Sequence, residues 1–306
     1  MKIRLVIIAI LAWHLPAIHA QPASGPPLPH RLVEGWPQLP AGWNFGECTG
    51  VDVDKDDNVW VFNRGPHKLI RFDRHGKMTG AWDEVPVASA HGLRIDPQGN
   101  IWLVDVGAHA VMKFTSAGRL LMIIAAGGGR PGDNDAKYAF NQPATLNFTP
   151  AGDFYVADGY ANSRVVKFNK DGEYLLHWGR KGTGDGEFNL VHDVCLDPQG
   201  RVYVADRTNG RVQIFDSNGR FLGKWTNLGS PWGLTYVSKQ DAIYMADGVN
   251  NRVLKLDLEG RVLGVLGAFG KKPGAFDFAH YLAVDSQGAI YVTEIKNWRV
   301  QKFAVP

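Results

Sequence analysis

After residue 30 the chain is a succession of short apolar runs broken by turns rich in Gly, Asn and Asp. One run recurs six times, apolar at first and polar at its last position. It reads VWVFN ending at Asn63, IWLVD at Asp105, FYVAD at Asp158, VYVAD at Asp206, IYMAD at Asp247 and IYVTE at Glu294. Unbroken apolarity over so short a length predicts a strand covered on both faces. A second run follows each time: KLIRF, AVMKF, RVVKF, RVQIF, RVLKL and RVQKF. Then comes a turn such as Asp171-Gly172 or Asn218-Gly219, and a half-apolar run: KMTGAW, RLLMII, EYLLHW, RFLGKW or RVLGVL. A further short apolar run, as in GLRIDPQGN and DVCLDPQGR, precedes the repeated one. Four strands recurring at intervals of 41 to 53 residues predict an all-β fold, a six-bladed β-propeller.

The sixth unit stops after its third strand, at Phe303, while HRLVEGW near the start matches the missing fourth strand. An N-terminal strand is therefore expected to close the ring, which removes an exposed sheet edge. Residues 31–306 form one propeller domain in this reading, with 21–30 as a polar spacer. Residues 1–20 (MKIRLVIIAILAWHLPAIHA) have a basic start, a short apolar stretch and a small residue at Ala20, the pattern of a cleaved secretory signal. The apolar stretch is too short to span a bilayer comfortably, so the mature chain is expected to be secreted or periplasmic and not inserted in a membrane.

Composition adds little beyond this. The 36 Gly and 17 Pro in 306 residues suit many turns. A net charge of +3 is too small to suggest nucleic-acid binding. Cys48 and Cys195 cannot make a disulfide framework, and the repeat sets them in separate blades. A closed propeller has no obligatory partner, so a monomer is expected.

Aligning the six first strands changes the picture. They read TGVDVD, HGLRID, ATLNFT, HDVCLD, WGLTYV and HYLAVD, so one column holds Thr49, His91, Ala144, His192, Trp232 and His280. The histidines fall in blades 2, 4 and 6. Six-fold pseudosymmetry then sets three imidazoles about 120° apart around the central axis. Three imidazoles without a thiolate suit Zn²⁺ with a fourth position open, although copper, iron and nickel also accept such ligands. His67 and His109 fit this register poorly, and His75 and His177 are expected at the surface.

Loops from second to third strands should surround the same mouth. Two of them begin with arginine, Arg64 and Arg207, a residue suited to gripping a carboxylate through a two-pronged hydrogen bond. Blade 3 has one extra residue between Asp158 and Phe168, which projects Tyr160 on this face. A tyrosine near zinc and arginine is expected to have a lowered pKa and to act as a base. The long Gly-rich connection between Ala125 and Pro143 reads as a rim or lid. It lacks the spacing of a phosphate-binding loop.

The units resemble the NHL repeat, in Phe188-Asn189 before one first strand and Asn250 to Val253 before one third strand. Further motifs resemble peptidyl-α-hydroxyglycine α-amidating lyase: VFNRG at Arg64, HGLRID at His91, DGYANSR at Tyr160, HDVCLD at His192, ADRTNGRVQ at Arg207 and AHYLAVD at His280. The resemblance implies a zinc ion on the three histidines, with Arg64, Tyr160 and Arg207 as substrate-binding and catalytic residues. It implies cleavage of a peptidyl or small α-hydroxyglycine-like substrate to an amide and glyoxylate. It also implies a structural calcium on the carbonyls of Val51 and Leu93. The family's calcium-ligating Asp, however, is replaced here by Tyr281, which leaves that site without its carboxylate. One alternative is a non-catalytic NHL propeller that binds a protein or peptide on its loop face. Another is a calcium-dependent hydrolase or lactonase, for which Glu47 and Asp193 are the acidic residues nearest the mouth.

Overall fold

A computed structural model describes residues 22–82 and 84–306. The expected signal, residues 1–20, lies outside the described residues. The described chain forms six four-stranded antiparallel sheets, with two short 3-10 turns at Gly127–Gly129 and Ser238–Gln240. No helix among the described residues is long and apolar enough to cross a membrane.

The inner strands of the six blades are Cys48–Val53, Ala90–Ile95, Thr145–Phe148, Val191–Leu196, Pro231–Val237 and Ala279–Val284. They pack side by side in a closed ring, blade 6 returning to blade 1. The repeated apolar run is the second strand of each blade, and its residues are buried throughout, as unbroken apolarity requires. Blade 6 takes its outer strand from the N-terminus: Arg31–Leu32 pairs with Arg299–Ala304, Leu32 opposite Phe303.

The core is a ring of six apolar clusters, one between each pair of neighbouring blades. Between blades 2 and 3, for example, Trp102, Phe148, Phe154 and Phe168 pack together. Each large side chain fully removed from water contributes roughly 1.5–3 kcal/mol. The acid that ends each second strand has a separate task. In blades 3 to 6 it pairs with an arginine opening the third strand: Asp158–Arg164 at 2.8 Å, Asp206–Arg211 at 2.7 Å, Asp247–Arg252 at 2.9 Å and Glu294–Arg299 at 2.6 Å. Each arginine then donates to carbonyls of the connection entering its blade. The repeated Asp and Arg columns are thus staples that fix the rim of the mouth.

Two connections are held in place by hydrogen bonds to backbone carbonyls. Of the polar spacer, residues 22–30 are described, and they pack on the propeller. Leu28 N–H donates to the carbonyl of Val265 and Val265 N–H to that of Pro26, so this segment lies along the outer strand of blade 5. Leu28 packs against the cluster between blades 5 and 6, an apolar contact hidden in a polar-looking stretch. The connection from Ala125 to Pro143 is a pinned rim, because buried Arg164 donates to the carbonyls of Asn134, Ala136 and Ala139. Cys48 and Cys195 are both buried and free.

Candidate metal centre

The histidine column sits on a repeated irregularity. Pairing between first and second strands skips at Cys48/Gly50, Ala90/Leu93, Val191/Asp193, Pro231/Gly233 and Ala279/Leu282. Thr49, His91, His192, Trp232 and His280 therefore lie in β-bulges, which turn a side chain out of the sheet's alternation. In blade 3 the inner strand begins at Thr145, opposite Ala157, and Ala144 of the histidine column lies just before it. There the loop residue Tyr160 reaches the centre instead.

His91, His192 and His280 come together as the alignment predicts. Their ring centroids are 5.1, 5.0 and 5.0 Å apart, close to an equilateral triangle. Each ring is oriented by the neighbouring blade. Nδ1 of His91 lies 2.7 Å from the carbonyl of Ala144, that of His192 2.6 Å from the carbonyl of Trp232, and that of His280 2.8 Å from the carbonyl of Thr49. A carbonyl only accepts, so each Nδ1 carries the proton. All three Nε2 atoms then turn lone pairs inward, and the three potential ligand atoms lie within 4.8 Å of one another. The Tyr160 hydroxyl is 2.9 Å from Nε2 of His91 and 3.0 Å from Nε2 of His192. One hydroxyl proton cannot satisfy three lone pairs. This donor set fits a cation of the His₃, zinc-like class.

Burial pushes His91 down to about 3, and Arg64 and Arg207 push in the same direction. Burial likewise holds His192 and His280 well below the ordinary histidine value, with neighbouring imidazole and guanidinium charges adding to it. Unfolded histidines bind protons below about pH 6.5. The folded ones resist doing so, so metal-free protein should lose stability as pH falls from about 6.5 toward about 3. Each histidine steepens that slope by up to about 1.4 kcal/mol per pH unit. Urea unfolding at pH 7 and pH 5 in chelator checks this: His91→Ala should flatten the dependence relative to wild type, and an unchanged slope contradicts it.

Arg64 and Arg207 both stand at this mouth but differ in their partners. Arg64 donates to Glu47 at 3.1 Å and to the carbonyl of Ala90 at 3.1 Å. Arg207 has no carboxylate partner among the described residues. Its guanidinium lies over Trp232 at 4.2 Å and Tyr160 at 5.3 Å, and it donates to the Tyr160 hydroxyl at 3.4 Å. The sequence reading missed the part of Trp232, although Trp232 stands in the histidine column. Its Nε1 donates to Ser230 Oγ, and Ser230 Oγ donates to the carbonyl of Arg207.

The lowered pKa expected of Tyr160 is corrected. Burial pushes this phenol up, and the pull of Arg207 and Arg64 does not outweigh it. His67 and His109 stand apart from the trio: His67 stacks on Trp43, and His109 Nδ1 accepts the N–H of Gln142.

Deeper in the channel, Tyr281 packs against all three imidazoles and donates its hydroxyl proton to the carbonyl of His192 at 2.8 Å. Arg94 lies over the Tyr281 ring at 5.3 Å and pairs with buried Asp193 at 2.7 Å. It also donates to the carbonyl of Leu93 at 3.3 Å. The calcium implied for Val51 and Leu93 does not fit here, because a guanidinium already bonds the Leu93 carbonyl and no carboxylate stands at position 281. Glu47 and Asp193, the acids considered for a calcium-dependent hydrolase, are each engaged by an arginine.

Comparison with known proteins agrees with this architecture. The NHL repeat family matches residues 140–168 and 188–215. Human NHL repeat-containing protein 3 is 33% identical over 213 residues, which cover 65% of this chain and 60% of that protein. Peptidyl-alpha-hydroxyglycine alpha-amidating lyase 1 of Drosophila melanogaster is 29% identical over 188 residues, 58% of this chain and 27% of that protein. The chain thus spans less than two thirds of the curated relatives it matches. A gluconolactonase from Xanthomonas campestris superposes with a TM-score of 0.65 at 16% identity, covering 96% of this chain and 99% of that one. That likeness concerns the fold alone. The chain is a six-bladed β-propeller bearing NHL repeats and homologous to the peptidylglycine amidating enzymes, the hydroxyglycine amidating lyase among them.

Proposed function

We propose that this chain is an exported, zinc-dependent lyase that cleaves the C–N bond of an N-acyl α-hydroxyglycine, releasing the amide and glyoxylate. The observation that carries the reading is the meeting of three inward imidazole lone pairs, the Tyr160 hydroxyl and an Arg207 without a carboxylate partner among the described residues. Homology to the fly amidating lyase supports it. The basic-then-apolar start of the sequence supports export.

Zinc held by His91, His192 and His280 would supply Lewis acidity toward the substrate's hydroxyl. The protein's own groups do the rest. Arg207, braced between Trp232 and Tyr160, grips the substrate carboxylate, which gives it the anionic partner it otherwise lacks. Arg64 is already engaged by Glu47 and Ala90, so its part is to hold the rim beside His91. Since burial favours the neutral phenol, Tyr160 acts as a relay and not as a free phenolate. Its oxygen accepts the carbinol proton while its own proton passes to the departing amide nitrogen. The C–N electron pair leaves with nitrogen, the C–O bond becomes a carbonyl, and no water or redox partner is consumed.

The test is glyoxylate release from an N-acyl α-hydroxyglycine by zinc-loaded protein. Arg207→Met should lower kcat/KM by about 10–100-fold, mainly through KM, as expected for a charge-assisted hydrogen bond worth about 1.5–3 kcal/mol. Zinc-loaded wild-type protein that releases glyoxylate no faster than buffer would rule the reading out and leave a ligand-binding propeller.

A further inference from the structure

The polar cluster beneath the histidine ring has no part in the chemistry above. Arg94 and Asp193 are among the most secluded charges of the molecule, at 6% and 0% exposure. Asp193 is fully satisfied: Oδ2 accepts from Arg94 at 2.7 Å and from Leu234 N–H at 2.8 Å, and Oδ1 accepts from Val194 N–H at 2.8 Å. Arg94 reaches three strands. It starts in blade 2, pairs with Asp193 of blade 4, and donates to the carbonyls of Leu93 at 3.3 Å and Leu234 at 3.4 Å, the latter in blade 5. Its guanidinium also lies over the ring of Tyr281 from blade 6. One side chain therefore ties four of the six inner strands together around the axis.

These contacts end on the metal ligands. Asp193 directly follows His192 in the chain. Tyr281 directly follows His280, stacks on the His192 ring at 5.4 Å with 20° between planes, and holds the His192 carbonyl. A buried carboxylate and several carbonyls converging on one point ordinarily call for a cation. Here the cation is part of the chain.

We infer that Arg94 is an internal cation that replaces a second metal ion: it locks the inner strands of blades 2, 4, 5 and 6 and positions His192 and His280 for the zinc. This rests on the zinc reading of the histidine ring, but not on the lyase activity. Arg94 is a positioning residue, since it touches neither the ligand nitrogens nor any substrate. Buried ion pairs are often worth little in net stability, so its use lies in fixing one arrangement of the strands. Groups that orient metal ligands typically change affinity by about 10–100-fold when removed.

Zinc affinity, measured by competition with a chelating dye, and melting temperature test this. Arg94→Met should weaken zinc binding by about 10–100-fold. Arg94→Lys keeps the charge and should stay much closer to wild type. If Arg94→Met leaves Asp193 too poorly paired for folding, the double variant Arg94→Met with Asp193→Asn removes both charges and should fold, with zinc affinity still reduced. The melting temperature of wild-type protein should not respond to millimolar calcium or to a calcium chelator. Wild-type zinc affinity in Arg94→Met or in the double variant would overturn the inference, and so would stabilisation of the wild-type protein by calcium. Because no arm reads glyoxylate, a protein that holds zinc but lacks lyase activity defeats the proposed function and leaves this inference standing. A wild-type protein that holds no zinc defeats both.

Discussion

His192→Ala is expected to strip the metal from the protein and, with it, all lyase activity above background. Structural zinc sites are worth about 10–16 kcal/mol in total, so each of four ligands carries roughly 3 kcal/mol, about 100-fold in affinity. For His192 the loss should exceed that share. Its Nδ1 bond to the Trp232 carbonyl couples the ring to the shelf that braces Arg207. Its imidazole is also one of two that meet the Tyr160 hydroxyl. Elemental analysis after gel filtration should give about one zinc per wild-type chain and far less for the variant. His109→Ala is the matched control, since His109 accepts a backbone N–H in a loop outside the ring. A His192→Ala protein that keeps wild-type zinc content would show that the ring is not the metal site.

How much of this centre the sequence disclosed depends on whether symmetry or packing sets each feature. Blade number, strand order and the closing strand follow from a repeat with an unpaired end. The histidine triangle follows from one column of an alignment combined with six-fold pseudosymmetry. What the column does not reveal is how the side chains come to face the axis. That depends on β-bulges, which arise where a strand admits one residue more than its partner. Blade 3 has Ala144 in the histidine column and offers Tyr160 from its extra loop residue, so the count of ten residues in place of nine is informative.

Other features were hidden because they join residues far apart in sequence and unlike in type. Trp232 was visible in the histidine column, yet its stacking on Arg207 involves a loop from the preceding blade. Arg94 reads in sequence as an ordinary alternating residue of an inner strand. Only the closed ring brings it to Asp193, 99 residues later. The pKa of Tyr160 was misjudged for a related reason. Nearby arginines were legible, but the extent of burial, which prevails over them, is a property of the assembled mouth.

Tyr160→Phe separates metal binding from proton transfer. The substitution removes a single oxygen and keeps the ring that lies against Arg207 and His91. Trp232 still braces the guanidinium, so carboxylate binding should survive and KM should change only a few-fold. Zinc content should be unchanged, because the three imidazoles keep their backbone partners in the neighbouring blades. Turnover should not survive. A positioned acid–base group is worth about 10²–10⁴-fold, and the relay uses the same hydroxyl twice, as acceptor and as donor. Expected is a kcat lowered by about 10²–10⁴ with metal retained, a split that a packing role for the ring does not produce. If kcat falls less than a few-fold, the carbinol proton leaves by another route. The meeting of the Tyr160 hydroxyl with His91 and His192 would then serve only to hold the loop of blade 3 over the centre.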